Sequence, residues 1–584
     1  YILEHYKVLR IISLLLVFHQ VVGMEYSKLV DIYQSLSQTT KMLEKRAIIT
    51  DFLRGIKPDE VEASILLLEG RLFPESDKRK IGIGNQLILK SISKVSGKTD
   101  TDLNDQWAKI GDLGLVAEKN ISSRTQDSLT QRKLTIKQVF DNLRKLSEIH
   151  GTGSTGKKVG LISELLGASN SVDSKYLVRT CLEDLRTGSG FGILRDAVAD
   201  AFDVDVKNVQ KAYDLTTDLS RVALVAKTRG DAGLEKISLN VGTPIKVMLF
   251  KKVESVEEGF EVVGSPAIID YKYDGFRLQI HRSDNEFKLF TRNLEDVTTQ
   301  FPDIIEIVKK DVKSKNYIID CEVVGYDKDT KSWKPFQEIS QRIKRKYGID
   351  DMIKEVPVMI FAFDLIGLSG KNFIDIPFKD RREKLSEIIT EDSFSVSLAK
   401  EITTSSIEQS QEFYEEALRV GAEGVMMKNL EGVYKPGSRV GFGVKIKPVM
   451  ETLDLVIVGG EWGTGKRANW ISSFILACRT EDGFKEIGKI GTGFKEKDEM
   501  GVSFDKMTKL LKPFIIGESG RSVKIKPGVI IEVKYEEIQR SPTYGSGYAL
   551  RFPRFVRLRD DKDLKDVDNL KRILKLSSAQ RGRK

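Results

Sequence analysis

A chain of 584 residues is too long for one hydrophobic core and implies three or four domains. Its 94 Lys+Arg against 85 Asp+Glu, a net charge of +9 at pH 7, favour an anionic partner such as nucleic acid. The three cysteines (Cys181, Cys321, Cys478) and four histidines (His5, His19, His150, His281) are scattered, which argues against a disulfide framework or a zinc site and fits a reducing cytosol.

Residues 1–23 carry an apolar run from Ile11 to Phe18 behind Lys7 and Arg10. The run falls short of the roughly 20 residues a membrane span needs, and no small-residue cleavage site follows it. The segment reads as sequence upstream of the folded chain, which opens at Met24, with an extra packed N-terminal helix or a targeting segment as the alternatives.

Between Met24 and Asn240 only Pro58 and Pro74 occur, and apolar residues recur at helical spacing in Leu161, Leu165, Leu166 and in Leu177, Val178, Cys181, Leu182, Leu185. Residues 24–240 are therefore expected to be all-α. Within them, Arg186 to Arg195 (RTGSGFGILR) sets Gly188, Gly190 and Gly192 before a helix, whose free amides suit a DNA phosphate. From Pro244 onward, short Val/Ile/Phe runs alternate with helical segments, an α/β texture expected over 241–447. After Lys447-Pro448, strands with Gly-rich turns predominate, so 448–584 suits a small β-barrel of the OB-fold type.

Two segments nearly match the phosphate-loop pattern G-x-x-x-x-G-K-[ST]: GTGSTGKK at 151–158 and GEWGTGKR at 460–467. Both put a basic residue where the hydroxyl belongs. A true loop leaves a strand and opens a helix. The first follows the helical stretch 136–149 and the second lies between strand-like runs, so both are expected to be turns. Lys466 and Arg467 in the second are candidates for DNA backbone contact.

The chemistry is expected instead around Ile268 to Arg277 (IIDYKYDGFR), where Asp270, Lys272 and Asp274 alternate on one face of an extended chain and Gly275 permits a turn. Further charged segments follow in apolar strands, where charge is costly: Thr291-Arg292-Asn293, Asp320-Cys-Glu322, Phe361 to Leu365, Glu423 to Lys428, and Val444 to Lys447. Phe361 and Phe363 share a face suited to stacking on a base.

In this order, with Lys272 to Gly275 as K-x-D-G and a last motif from Arg551 to Lys562, the segments resemble the ATP-dependent DNA ligases of the archaeal and eukaryotic replicative type, within the covalent nucleotidyltransferases. The resemblance runs from about Met24 to the end. It implies a helical DNA-binding domain, an adenylation domain and an OB-fold that close around a nicked duplex, with ATP and Mg²⁺ as cofactors. Lys272 would take AMP from ATP and pass it to a nick 5′-phosphate, which the 3′-hydroxyl then attacks. Arg277, Lys445 and Lys447, with Mg²⁺, would help the lysine, whose ordinary pKa is about 10.4, to lose its proton.

The resemblance further assigns Asp270, Arg277, Arg292, Glu322, Phe363, Arg439, Lys445 and Lys447 to the nucleotide, Glu322 and Glu423 to metal, Arg186, Gly188, Gly190, Gly192 and Arg195 to DNA, and Arg554 and Arg557 to pyrophosphate. Asp270 stands where relatives commonly have glutamate. Relatives often carry a sliding-clamp motif with paired aromatic residues, but 124–135 (RTQDSLTQRKLT) has none. A monomer acting in the cytoplasm at the nucleoid, in replication, repair and recombination, is the expected setting. An RNA ligase, a capping-type enzyme or a non-catalytic DNA-binding scaffold are the alternatives; an NAD-dependent ligase would carry a zinc-binding cysteine cluster.

Overall fold

The computed structural model describes residues 23–580, except 122–132, 344, 346, 393, 449–450, 464–466, 468, 497–498 and 500. The upstream segment 1–22, most of the clamp-motif region and Lys466 thus lie outside the described residues.

Among the described residues, every regular element from Tyr26 to Leu234 is helical. Pro58 starts a short 3₁₀ turn, where a missing amide proton costs nothing. The predicted apolar positions Leu165, Leu166, Leu177, Val178 and Cys181 are buried in one core with Tyr26, Leu29 and Val116. Asn170 caps the helix Ser171–Cys181 by accepting from Asp173 N at 2.8 Å. Of GTGSTGKK, expected to be a turn, only 151–153 form one, after the 3₁₀ turn Leu146–Glu148; Ser154 onward is the first part of the helix Ser154–Ala168, which opens behind a helical turn and not behind a strand. Its Lys158 is buried and donates to the Ile81 carbonyl at 2.5 Å, so its charge secures a neighbouring loop.

The middle of the chain builds two sheets from β1 (Leu249–Val253), β2 (Ala267–Lys272), β3 (Phe276–Ser283), β4 (Glu286–Thr291), β5 (Asn316–Tyr326), β6 (Trp333–Lys334), β7 (Val358–Leu368), β8 (Lys371–Asn372), β9 (Val396–Leu398), β10 (Glu401–Thr404), β11 (Gly424–Asn429) and β12 (Arg439–Ile446). One has the order β1-β12-β11-β2-β10; the other runs β4-β3-β5-β7-β8, with β6 beside β5 and β9 beside β7. Long-range antiparallel pairing sets β2 against both β10 and β11. Lys272 ends β2 in the first sheet and Phe276 starts β3 in the second, so the turn between them crosses from sheet to sheet. Glycine is required there: a Cβ on Gly275 would lie 2.2 Å from the Val323 carbonyl oxygen of β5.

The last part is β-rich, with β13 (Leu453–Trp462), β14 (Ile471–Thr480), β15 (Gly483–Ile490), β16 (Ile515–Ser519), β17 (Ser522–Ile525), β18 (Ile530–Lys534), β19 (Glu537–Arg540), β20 (Tyr548–Arg551) and β21 (Arg554–Leu558). β13 bends: Leu453–Val456 pair with β18 and Gly459–Glu461 with β17, while its other edge pairs with β14. GEWGTGKR therefore begins inside β13, which pairs antiparallel with β14, and among the described residues no α-helix follows it before β14. Arg467 pairs with Glu496 at 2.7 Å.

Candidate active site

Lys272, at the end of β2, points its Nζ at Glu423 Oε2, 2.6 Å away. Glu423 is fixed by its backbone: its N–H donates to the Lys272 carbonyl at 2.7 Å, and the next residue, Gly424, has φ +148° and no room for a Cβ, which would fall 2.0 Å from Ile446 O. Lys447 reaches the same Glu423 oxygen at 2.7 Å. Burial opposes charge on Glu423, yet Lys272 and Lys447 outweigh it and hold that carboxyl well below the usual range. Burial also pulls the Lys272 pKa down, but Glu423, Glu322 and Asp274 together prevail and raise it.

This corrects the sequence-based expectation that neighbouring cations lower the Lys272 pKa: the groups nearest the ammonium are carboxylates. Burial, with Glu423 beside it, pushes Asp274 up to about 7. Glu322, on β5, rises to about 7, chiefly by desolvation. Lys445 on β12 is lowered by burial and by Lys447 and Lys272, and Arg292 adds to that field.

On one side of Lys272 lies Asp270, two residues back on the same face. It is 3% exposed, not solvated; Oδ2 accepts from Lys428 at 2.9 Å, while the buried Oδ1 has no hydrogen-bond partner among the described residues. Phe363, half-buried on β7, is flanked by Lys428 (5.3 Å to the ring centre) and Arg277 (5.7 Å). Phe361 is not its companion: it stacks on Tyr273 at 3.8 Å and 11°, inside the core.

Arg277, on β3, pairs with Asp320 and donates to Tyr434 Oη at 2.7 Å; its buried Nε also lacks a partner. Two orphaned polar atoms, an acceptor and a donor, thus flank a half-buried aromatic face beside the lysine. A buried polar atom without a partner is costly, so the arrangement fits a polar, flat ligand. Lys428 and Tyr434 were not assigned roles from sequence; Lys428 sits inside a motif that was noticed, whereas nothing local marks Tyr434.

Other expected residues lie elsewhere. Arg439 is exposed at the start of β12, about 20 Å along the strand from Lys445. Arg557 pairs with Glu532 at 2.6 Å, and Arg554 sits opposite Lys534 on β21. Among the described residues neither arginine pairs with the Lys272 cluster; from the β-rich part it is Glu536 that lies 3.7 Å from Lys447. Arg186 is held by Asp112 (3.0 Å) and Asp184 (2.7 Å), and Arg195 by Asp196 and Gln210. Gly188 has φ +64° and packs toward Lys45. Gly190 and Gly192, at the start of the helix Phe191–Phe202, would place a Cβ in open space, so packing within the protein does not demand glycine there.

Three family models match in chain order: DNA ligase N terminus over 25–199, ATP dependent DNA ligase domain over 247–447, and ATP dependent DNA ligase C terminal region over 467–562. The chain belongs to the ATP-dependent DNA ligase family. It is 44% identical to the DNA ligase of Nanoarchaeum equitans over 563 residues, covering 96% of this chain and 99% of that one. To the DNA ligase of Thermococcus onnurineus it is 39% identical over 559 residues, covering 95% and 98%. A solved structure named Pmar-Lig_PreS3 shares the fold at a TM-score of 0.56 and 15% identity, covering 91% of this chain and 99% of its own. The ligase reading of the motif series, ATP dependence included, therefore holds, as does the expected sequence of helical, α/β and β-rich parts. No described helix of this ligase is long and apolar enough to cross a membrane.

Proposed function

We propose that the chain seals 5′-phosphate/3′-hydroxyl nicks in duplex DNA through AMP carried on Lys272, in replication, repair and recombination. The observation that carries the assignment is Lys272 Nζ set 2.6 Å from Glu423 beside the unpartnered Asp270 Oδ1 and Arg277 Nε. In the first step one ammonium proton leaves through the carboxylates in reach, Glu423 and the Asp274 that hydrogen-bonds it. The freed electron pair forms an N–P bond to the α-phosphorus of ATP, and pyrophosphate departs with the electrons of the broken P–O bond. The N–P bond then breaks as the nick 5′-phosphate oxygen takes the AMP, and finally the 3′-hydroxyl oxygen displaces AMP to close the strand.

Phe363 offers a face to adenine, Asp270 an acceptor to its amino group, and Arg277 a donor to the ribose; Lys445, Lys447, Arg292 and, after rearrangement, Arg439 balance phosphate charge. Glu322 and Glu423 suit Mg²⁺. Among the described residues no three His, Cys, Asp or Glu side chains are arranged to hold a metal ion by themselves, but Mg²⁺ is commonly held by one or two carboxylates with substrate phosphates, and the charges of Glu423 and Asp274 act on Glu322. Bound there, it would neutralise developing phosphate charge.

The Gly190–Gly192 amides with Arg186 and Arg195 take the DNA backbone, the arginines exchanging present carboxylate partners for phosphate. Arg554 and Arg557 reach pyrophosphate only after the β-rich part turns. In domain terms, 24–240 grips DNA, 241–447 carries adenylation and 448–584 is the OB-fold, in a monomer at the cytoplasmic nucleoid. Incubation with α-labelled ATP and Mg²⁺ tests the reading: label should attach to the wild type by an acid-labile bond and vanish in Lys272→Ala. Undiminished labelling of that variant would sink the mechanism.

A further inference from the structure

Behind Arg277 runs a buried polar chain that the reaction above does not use. Asp320, fully buried, accepts from Arg277 on Oδ2 and from Gln279 Nε2 on Oδ1 at 3.0 Å. Gln279 Oε1 in turn accepts from Ile245 N at 2.8 Å, and from His281 Nε2 at 2.9 Å; its amide nitrogen also reaches Ile245 O at 3.5 Å. His281 is wholly buried and its pKa falls to about 3, so it is neutral; its Nδ1 accepts from Gly242 N at 3.1 Å, which leaves the proton on Nε2 for Gln279.

Tyr434 closes a second route to the same segment. Its hydroxyl accepts from Arg277 and shares its one proton between Asp320 Oδ2 (3.0 Å) and the Lys246 carbonyl (3.3 Å). The ring is packed among Leu215, Ile245, Ile318, Ile366 and Ile374, so water does not compete for these bonds. Lys246 faces the other way with its side chain: Nζ lies 2.5 Å from Glu75 and donates to Tyr213 Oη at 2.5 Å, both on the helical part.

We propose that Tyr434 and Gln279 are positioning residues for Arg277, and that through them the segment 242–246, which joins the helical part to the α/β part, forms the back wall of the ribose subsite. A guanidinium held by one carboxylate alone can pivot about it. Here the second Nη2 contact to Tyr434 fixes the plane, and fixes which way the unpartnered Nε points. Because Lys246 is anchored on the helical part by its side chain and on Tyr434 by its carbonyl, whatever shifts the helical part also shifts Arg277. The inference rests on the reading that Arg277 meets the ribose of ATP.

The test is lysine adenylation by the full-length chain carrying Tyr434→Phe, with ATP, 2′-deoxyATP and 3′-deoxyATP compared. Loss of a hydrogen bond to a charged group should raise the ATP KM roughly five- to tenfold with kcat within about twofold. The preference for ATP over at least one deoxy analogue should fall at least about threefold, because the lost contact orients a ribose ligand. A residue that merely supports the fold would weaken all three nucleotides alike, and that outcome, or no change, overturns the proposal. Should Tyr434→Phe fail to fold, Lys246→Met, altered at a partly exposed side chain, must show the same loss of preference at roughly two- to threefold; an unchanged preference overturns the proposal equally. Absence of label on the wild type would instead overturn the Lys272 assignment, so the two failures are distinct.

Discussion

Gly275→Ala tests the claim that the sheet-crossing turn sets the active-site geometry. The new Cβ would lie 2.2 Å from Val323 O and 2.9 Å from its carbonyl carbon, where ordinary contact begins at 3.4 Å, so the turn and β5 must separate by about 1.2 Å. Both obstructing atoms are backbone, in a strand paired on both edges, and neither can rotate away. Lys272 and Arg277 flank the turn, while Glu322 directly precedes Val323, so the separation moves the proposed nucleophile and the proposed ribose contact against the carboxylate. A misplacement near 1 Å costs on the order of 10²-fold in rate, or about 2.7 kcal/mol of barrier. Overpacking should cost about 1–3 kcal/mol of stability as well. Single-turnover labelling with α-labelled ATP reads the first effect and thermal unfolding the second. Gly190→Ala, whose methyl enters open space, should leave lysine adenylation unchanged and serves as control. Labelling within about threefold of wild type in a Gly275→Ala protein that melts normally would refute the reasoning, because the strain would then have been absorbed without moving the site.

Lys428→Met leaves Asp270 charged and unpaired in a buried site and should cost about 3–5 kcal/mol, of which the double variant with Asp270→Leu recovers most; denaturant unfolding of both decides it. Phe363→Ala should raise the ATP KM with little loss of stability, since the ring is half-exposed, whereas Phe361→Ala should destabilise by about 3–5 kcal/mol, as a core ring stacked on Tyr273. Equal KM effects from the two would contradict the division of roles. Burial raises Glu69 from 4.5 to about 7. Its folded pKa lies above the unfolded one, so the stability linked to its neutral form is full below pH 4.5 and is lost as pH climbs to about 7, at most about 3 kcal/mol. Glu69→Gln should therefore melt higher than wild type at pH 8 but not at pH 4.5, and equal melting at pH 8 would count against it.

The order of the parts was legible because each depends on local rules. A proline-poor stretch with three- and four-residue apolar spacing became helix, and GEWGTGKR was recognised as a hairpin from the strand-like runs that flank it. The pairing of β2 with both β10 and β11, and the passage from one sheet to the other at Gly275, follow from contacts between residues far apart in sequence. No local pattern encodes them, although K-x-D-G does mark the glycine that the crossing needs.

At the site the visible signal was charge placed in apolar strands, and the structure brings the side chains it pointed to, Lys272, Glu322, Glu423, Lys445 and Lys447, into one interacting cluster. It could not say which opposite charge each would meet. Lys272 was expected among cations and lies among carboxylates; Arg277 was expected to act on Lys272 and instead binds Asp320 and Tyr434. The same ambiguity hid Lys428, whose partner Asp270 is 158 residues away, and Tyr434, whose hydroxyl acts in an apolar cluster assembled from segments far apart in sequence. Alternation along a strand gives the face of a side chain, but partnership across a sheet depends on register. Register here is fixed by backbone approaches that only Gly275 and Gly424 allow, so the two motif glycines carry the information that the charged residues lack.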